Sequence, residues 1–163
     1  MSDFIEQQGK AFLAHLLRRL SDELIQAAKE WYPSVGITAP PRTISTLLAL
    51  EANGPLGVTQ LASVLRQSHS LVIVWVRELS NLSLVDSWTD PTDGRRTVVA
   101  LTAKGDKEVV NLGRALALMQ EASREILSPN DEALWQGLWQ VEKSLREKPF
   151  LSRLHELSQK ENA

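Results

Sequence analysis

Apolar residues in the first part of the chain recur at intervals of three and four positions. They are Leu13, Leu16, Leu17, Leu20, Leu24, Ala27, Ala28 and Trp31. This spacing places them on one face of an α-helix. Pro33 ends the pattern, because the residue before a proline is disfavoured in helical conformation. The stripe is about five turns long, more than a helix packed on one small core needs, so part of it is predicted to contact a partner subunit.

Two shorter helices are predicted in the middle of the chain, after a helix that Pro40-Pro41 opens and Asn53-Gly54-Pro55 closes. Thr59 is expected to cap the first short helix, and Ser68 the second, which runs to about Leu82. Two short helices separated by a tight connection indicate a helix-turn-helix.

Two β-rich runs come next, separated by a loop rich in Pro, Asp and Gly. The runs are residues 85–89 and 97–101, and this arrangement predicts a β-hairpin. A hairpin directly after a helix-turn-helix makes a winged helix. Beyond the hairpin, Thr102 is expected to cap a helix that reaches about Leu127.

The C-terminal part is predicted to be helical as well. Ser128-Pro129-Asn130-Asp131 indicates a helix start, with a serine cap and proline at the first helical position. Residues 150–157 are predicted to form a short last helix. The apolar face of the helix between them suits a dimer seam. It consists of Leu134, Leu138, Val141 and Leu145, with Trp135 and Trp139 about a quarter turn away.

Three motifs between residues 58 and 105 point to a known family. They are Val58-Thr59-Gln60-Leu61-Ala62, Asp90-Pro91-Thr92-Asp93-Gly94-Arg95-Arg96 and Leu101-Thr102-Ala103-Lys104-Gly105. In this order they resemble the first helix, the wing tip and the step after the wing in the MarR-type family of bacterial winged-helix transcription regulators. The resemblance implies a homodimer on a pseudo-palindromic operator, and a ligand pocket between the dimerisation helices and the DNA-binding lobe.

The expected fold is mainly α with a small β wing, a winged helix-turn-helix flanked by long N- and C-terminal dimerisation helices. We interpret residues 1–163 as a single domain. In it, residues 38–105 are the winged-helix DNA-binding lobe, and residues 1–32 and 106–163 are the helical dimerisation lobe. The chain departs from the family at Ser83, where glycine is common, so a strained turn is expected there.

The candidate DNA contacts lie on the second short helix and at the tip of the wing. They are Ser68, His69, Ser70, Ile73, Val74, Arg77, Arg95 and Arg96. Helical spacing turns Val72 inward and Ile73 and Val74 outward. The latter two cannot hydrogen-bond a base edge, so they either pack against thymine methyl groups or touch another protein surface. A winged-helix protein-interaction module without operator binding therefore stays open as the alternative.

Charge and composition restrict the remaining possibilities. The formal net charge is −2, and residues 57–105 carry five basic against four acidic side chains, so DNA contact must depend on local placement. The absence of cysteine excludes disulfides and thiolate metal sites, and no catalytic motif is present. We therefore expect no enzyme activity, cofactor, metal or membrane span, and a cytoplasmic location.

Aromatic residues supply the candidates for an effector site. Trp31 and Tyr32 end the first long helix, and Trp75 lies at the inner edge of the second short helix. Such side chains either belong to the core or line a pocket for a small apolar or aromatic ligand. The sequence thus predicts a dimeric, sequence-specific DNA-binding transcription regulator that responds to such a ligand.

Overall fold

The computed structural model describes residues 2–161, and within them the chain forms eight α-helices and one three-stranded antiparallel sheet. The elements before the wing are α1 (Phe4–Gln7), α2 (Leu13–Trp31), α3 (Ile44–Asn53), β1 (Leu56–Gly57), α4 (Val58–Leu65) and α5 (His69–Asn81). The wing and the elements after it are β2 (Val85–Thr89), β3 (Thr97–Leu101), α6 (Ala103–Leu127), α7 (Asp131–Glu147) and α8 (Phe150–Glu161). The predicted fold, mainly α with a small β wing after a helix-turn-helix, is confirmed.

The sheet consists of the wing hairpin and one short added strand. Strand β3 lies in the middle, with β2 on one side and β1 on the other. Val85 pairs with Leu101 at one end of the hairpin and Thr89 with Thr97 at the tip end. Leu56 pairs with Val99, so the residues just before α4 are fixed to the middle of β3.

Two helices begin at residues other than the predicted ones. Helix α4 starts at Val58 because the Gln60 side chain folds back and its Oε1 accepts the Gly57 N–H at 2.9 Å. Thr59 is therefore inside the helix and is not its cap. Helix α7 starts after Asn130. Ser128 is not its cap, because its N–H still donates to the Arg124 carbonyl at 2.9 Å and so closes α6.

The first turn of α6 is fixed to the connection between α5 and β2. Thr102 Oγ1 donates to the Ser83 carbonyl at 2.7 Å, and Lys104 Nζ donates to the Leu82 carbonyl at 2.7 Å. Gly105 packs so closely that an added Cβ would lie 2.1 Å from the Leu84 oxygen. Ser83 has a φ of 57°, so the strained turn expected at this position is present.

The chain divides into two compact units, residues 1–115 and 116–163, with the boundary inside α6. The core of the first unit is built mainly from α3, α4, α5 and the wing. Its largest fully buried side chains include Leu47, Leu61, Leu79, Leu84 and Leu112. The second unit contributes no residue to the buried core among those described. The predicted division into a DNA-binding and a dimerisation lobe stays a prediction.

Candidate DNA-binding face

A groove of about 620 Å³ lies between α4, α5 and the wing, and we call it the wing groove. It brings together side chains of α5 and of the wing tip, which lie in separate stretches of the sequence. The predicted DNA contacts that line it are His69, Ile73, Arg77, Arg95 and Arg96. Ser68, just before α5, and Ser70 and Val74, on α5, are exposed but do not line the groove.

Helix α5 presents its two faces as helical spacing predicted. Val72 and Leu79 are fully buried, whereas Ile73 and Val74 are 38% and 47% exposed. Ser68 is the N-cap, and its Oγ accepts the Leu71 N–H at 3.3 Å. His69, Ile73 and Arg77, on the outer side of α5, therefore line the groove.

The wing tip is ordered by the aspartates of its loop. Asp90 Oδ1 accepts hydrogen bonds from the Thr92 N–H at 2.8 Å and from its hydroxyl at 2.6 Å, and these bonds lower the pKa of the Asp90 carboxyl. Asp93 Oδ1 accepts the Arg95 N–H at 3.1 Å. Asp93 thus shapes the loop through the Arg95 backbone, which leaves the exposed Arg95 side chain turned to the groove.

The two wing arginines have different surroundings. The Arg96 guanidinium donates to Gln60 Oε1 and lies 3.8 Å from Asp90 Oδ2. Its Nε would be only 2.8 Å from a Cβ at Gly57. Arg96 therefore ties the wing to the start of α4, and a Cβ at position 57 would push its side chain away from this position.

A second cavity of about 680 Å³ lies between the end of α2 and the start of α3, and we call it the α2–α3 pocket. Its apolar walls include Ile25, Tyr32 and Ile37. Tyr32 is only 2% exposed, and burial raises the pKa of its phenol. Of the three aromatic candidates, only Tyr32 lines this pocket. Trp31 is half-buried, with its ring centroid 6.3 Å from that of Tyr32. Trp75 lies in the core.

The segment that forms one wall of the α2–α3 pocket is held by α6. Glu108 is buried, and its Oε1 accepts the Thr38 hydroxyl at 3.0 Å and the Ala39 N–H at 2.7 Å. Asn111 Nδ2 donates to the Gly36 carbonyl at 3.1 Å. Helix α6 therefore contacts this wall with its second and third turns, and the α5–β2 connection with its first.

Sequence reasoning missed several side chains of these sites. Lys29 and Arg42 line the α2–α3 pocket, and Arg42 also pairs with Glu78 on α5. No motif marks them, because Arg42 and Glu78 are 36 positions apart and meet only in the fold. Gln60 was detectable in principle, since a Gln three positions after the N-cap residue is typical of a capping box.

Residues 2–161 offer neither a metal site nor a membrane-crossing helix. No group of three or more His, Asp or Glu side chains is placed to hold a metal ion. None of the helices in this range combines the length and apolar character that a membrane crossing requires.

Comparison with known proteins relates the chain to solved structures only, since no sequence-family model and no curated protein matches it. The S. aureus MepR–DNA complex is 26% identical, with a TM-score of 0.69 over 82% of this chain and 97% of that one. PcaV from Streptomyces coelicolor, solved with its natural ligand, is 25% identical, with a TM-score of 0.65 over 88% of this chain and 98% of that one.

A third structure carries the family name. It is a MarR family transcriptional regulator from Silicibacter pomeroyi, 25% identical, with a TM-score of 0.59 over 85% of this chain and 91% of that one. In each case the similarity covers more than four fifths of this chain and more than nine tenths of the other. The resemblance that the three sequence motifs indicated is therefore confirmed: the chain has the winged-helix fold of MarR-type transcription regulators.

Proposed function

We propose that the chain is a homodimeric, sequence-specific DNA-binding transcription regulator whose hold on its operator is modulated by a small apolar or aromatic ligand. The wing groove is the observation that carries the proposal, because it gathers three arginines beside the exposed face of α5. The MepR structure, solved with DNA, has the same fold. Its similarity supports DNA as the partner of this face.

The residues of the groove take different roles in this proposal. Arg77 lies on the outward face of α5, where a guanidinium can make a bidentate contact with guanine in the major groove. Ile73 lies one helical turn before it and can pack against a thymine methyl group. His69 and the capped amino end of α5 suit a phosphate.

The wing supplies backbone and minor-groove contacts in the same proposal. Arg95 is exposed at its tip and can enter a narrow minor groove, where A·T tracts strengthen the negative potential. Arg96 stays near DNA but is engaged by Gln60 and Asp90, so its main contribution is to hold the wing in place.

Exposed apolar stripes support the homodimer. On α2, Leu13, Leu20 and Leu24 are each about half exposed, at 49%, 52% and 55%. On α7, Trp135 and Trp139 are 50% and 51% exposed and stack edge to face at 5.8 Å. Contiguous apolar surface of this kind marks an interaction site in a soluble protein, and a second copy of the chain covers it in the proposed dimer.

The α2–α3 pocket is the proposed effector site. Its volume lies within the range of small-molecule sites, and its walls are mostly apolar with a few polar groups. PcaV, of similar fold, was solved with its natural ligand, which supports a ligand site in this architecture. The proposal assigns Tyr32 to it and leaves Trp31 and Trp75 as supports of the surrounding core.

A fluorescent random-sequence duplex, titrated at two salt concentrations, tests the DNA-binding part. The wild type is expected to bind more weakly at high salt, because phosphate contacts release counterions. A double Arg77→Ala, Arg95→Ala variant is expected to lose at least about tenfold in affinity. Arg114→Ala is the matched control, since Arg114 is exposed but does not line the groove. Equal affinity of all three proteins would favour the protein-interaction alternative, which the exposed Ile73 and Val74 otherwise support.

A further inference from the structure

The outward face of α5 is apolar at its centre. Helical spacing places Ser70, Ile73, Val74 and Arg77 on this face, and all four side chains are exposed. Arg77 is the only lysine or arginine of the helix. The surface that the proposed function turns towards the base pairs therefore carries two branched hydrocarbon side chains at its middle, where neither can form a hydrogen bond with a base.

Ile73 and Val74 form a rigid surface. A β-branched side chain in a helix has one strongly preferred χ1 rotamer, so neither residue can swing away from an approaching polar group. The backbone beneath them is fixed as well, because Val72, Val76 and Leu79 on the inner face of α5 are buried in the core. The pair therefore presents one apolar shape and needs a partner that matches it.

The major groove of DNA offers one kind of apolar partner. The edges of the base pairs carry hydrogen-bond donors and acceptors, and their apolar group is the C5 methyl of thymine. 5-Methylcytosine carries the same group at the same ring position. A hydrocarbon side chain pressed against any other edge leaves a donor or acceptor without water, which is costly. The centre of α5 therefore favours bases that carry a C5 methyl group.

The charges around the apolar pair favour DNA over an apolar protein as its partner. Arg77 and Arg95 line the wing groove together with Ile73. Glu78, the only acidic residue of α5, is neutralised by its ion pair with Arg42. The apolar centre is thus continuous with a positively charged groove, and a polyanion with methyl groups on its surface complements both.

We propose, resting on the regulator function above, that Ile73 and Val74 recognise C5 methyl groups in each half-site of the DNA. At these positions the protein treats 5-methylcytosine as it treats thymine, and it discriminates against uracil and unmethylated cytosine. Arg77 supplies the hydrogen-bonded contact beside them. Methylation of a cytosine at such a position therefore strengthens binding of the regulator to that site.

The test uses a pool of duplexes that the wild type selects from a random library. The pool is amplified once with thymidine triphosphate and once with deoxyuridine triphosphate, which removes the methyl groups and keeps the hydrogen-bonding groups. The wild type is expected to bind the thymine pool at least about tenfold more tightly, since burial of one methyl group accounts for about fourfold. In the double variant Ile73→Ala, Val74→Ala this ratio is expected to fall below about twofold.

Two control variants separate methyl recognition from DNA binding in general. Val110→Ala makes the same truncation at an exposed valine of α6, and it is expected to keep the full ratio between the pools. Arg77→Ala is expected to weaken binding to both pools by the same factor, so its ratio also stays that of the wild type. Thermal melting of each variant checks that the fold is intact.

A second measurement needs no variant. In one selected duplex, each thymine of a half-site is replaced in turn by cytosine and by 5-methylcytosine, which differ only in the methyl group. The wild type is expected to prefer 5-methylcytosine by about fourfold at one or two positions in the half-site. The same comparison in the double variant is expected to show no preference.

Two results would overturn the proposal while leaving the regulator function intact. Equal affinity of the wild type for the thymine and uracil pools would show that α5 does not contact methyl groups. A ratio that persists in the folded double variant would assign the effect to DNA shape or to another residue. If the wild type enriches no pool at all, the regulator function fails and methyl recognition fails with it, and the exposed apolar pair then belongs to a protein contact.

Discussion

Replacing Gly105 by alanine tests the close contact between α6 and the connection from α5 to β2. The added Cβ would lie 2.1 Å from the Leu84 carbonyl oxygen and 3.3 Å from Leu101 Cδ2. The first of these atoms belongs to the backbone, so it cannot rotate away. The connection from α5 to β2 and the start of α6 must instead separate by more than 1 Å to reach ordinary van der Waals distance.

The cost follows from the contacts that this separation disturbs. The Leu84 carbonyl accepts the Thr102 N–H at 3.1 Å, and weakening that bond costs about 1 kcal/mol. Overpacking of a rigid site costs about 1–3 kcal/mol. The better helix propensity of alanine returns about 1 kcal/mol. The free energy of unfolding is therefore expected to fall by about 1–3 kcal/mol.

Urea denaturation of Gly105→Ala and Gly113→Ala at equal protein concentration measures the effect. Gly113 is the control on the same helix, because no atom lies within 4 Å of a Cβ added there. This second variant is expected to gain up to about 1 kcal/mol. A Gly105→Ala protein as stable as the wild type, or a shift of both variants in the same direction, would refute the packing argument.

Four other substitutions address the DNA-binding face, the strained turn and the dimer. Arg77→Ala is expected to lose about 1–3 kcal/mol of binding free energy on the preferred duplex and to relax the preference at one base pair. Arg95→Ala is expected to weaken binding to all duplexes evenly and to reduce the slope of affinity against salt concentration by about one. Binding titrations over a series of salt concentrations measure both effects. Ser83→Gly is expected to raise the unfolding free energy by about 0.5–1 kcal/mol in urea, because it relieves the positive φ; no gain would show that the turn is unstrained. Trp139→Asp is expected to shift the dimer towards monomer in sedimentation, with the neighbouring Gln140→Asp as control, and an unchanged dimer would place the interface elsewhere.

The winged helix could be predicted from sequence because its signals are local. The Ser68 cap, the inward spacing of Val72 and Leu79, and the two β-rich runs around the loop each depend on residues within a few positions of one another. The helix starts at Val58 and Asp131 were harder to predict. Each helix start depends on which of several nearby polar groups accepts hydrogen bonds from the first backbone N–H groups of the helix. Helix propensity alone does not decide between these acceptors.

The sites were predictable only in part, for the same reason. The wing groove could be anticipated because the family motif already places α5 and the wing tip side by side. The Arg42–Glu78 pair and the Glu108 contacts join residues far apart in the sequence. No local sequence pattern predicts such contacts. The aromatic candidates were chosen by residue type, and only the fold separates Tyr32, at the pocket, from Trp75, in the core.

Selection of bound sites from a random duplex library tests the central claim most directly. A homodimeric winged-helix regulator is expected to enrich a two-fold symmetric consensus, with half-sites centred about one helical turn, 10–10.5 base pairs, apart. Arg77→Ala, selected in parallel, is expected to lose information at one position in each half-site. Recovery of no enriched sequence, or of a single asymmetric site bound by a monomer, would contradict the account.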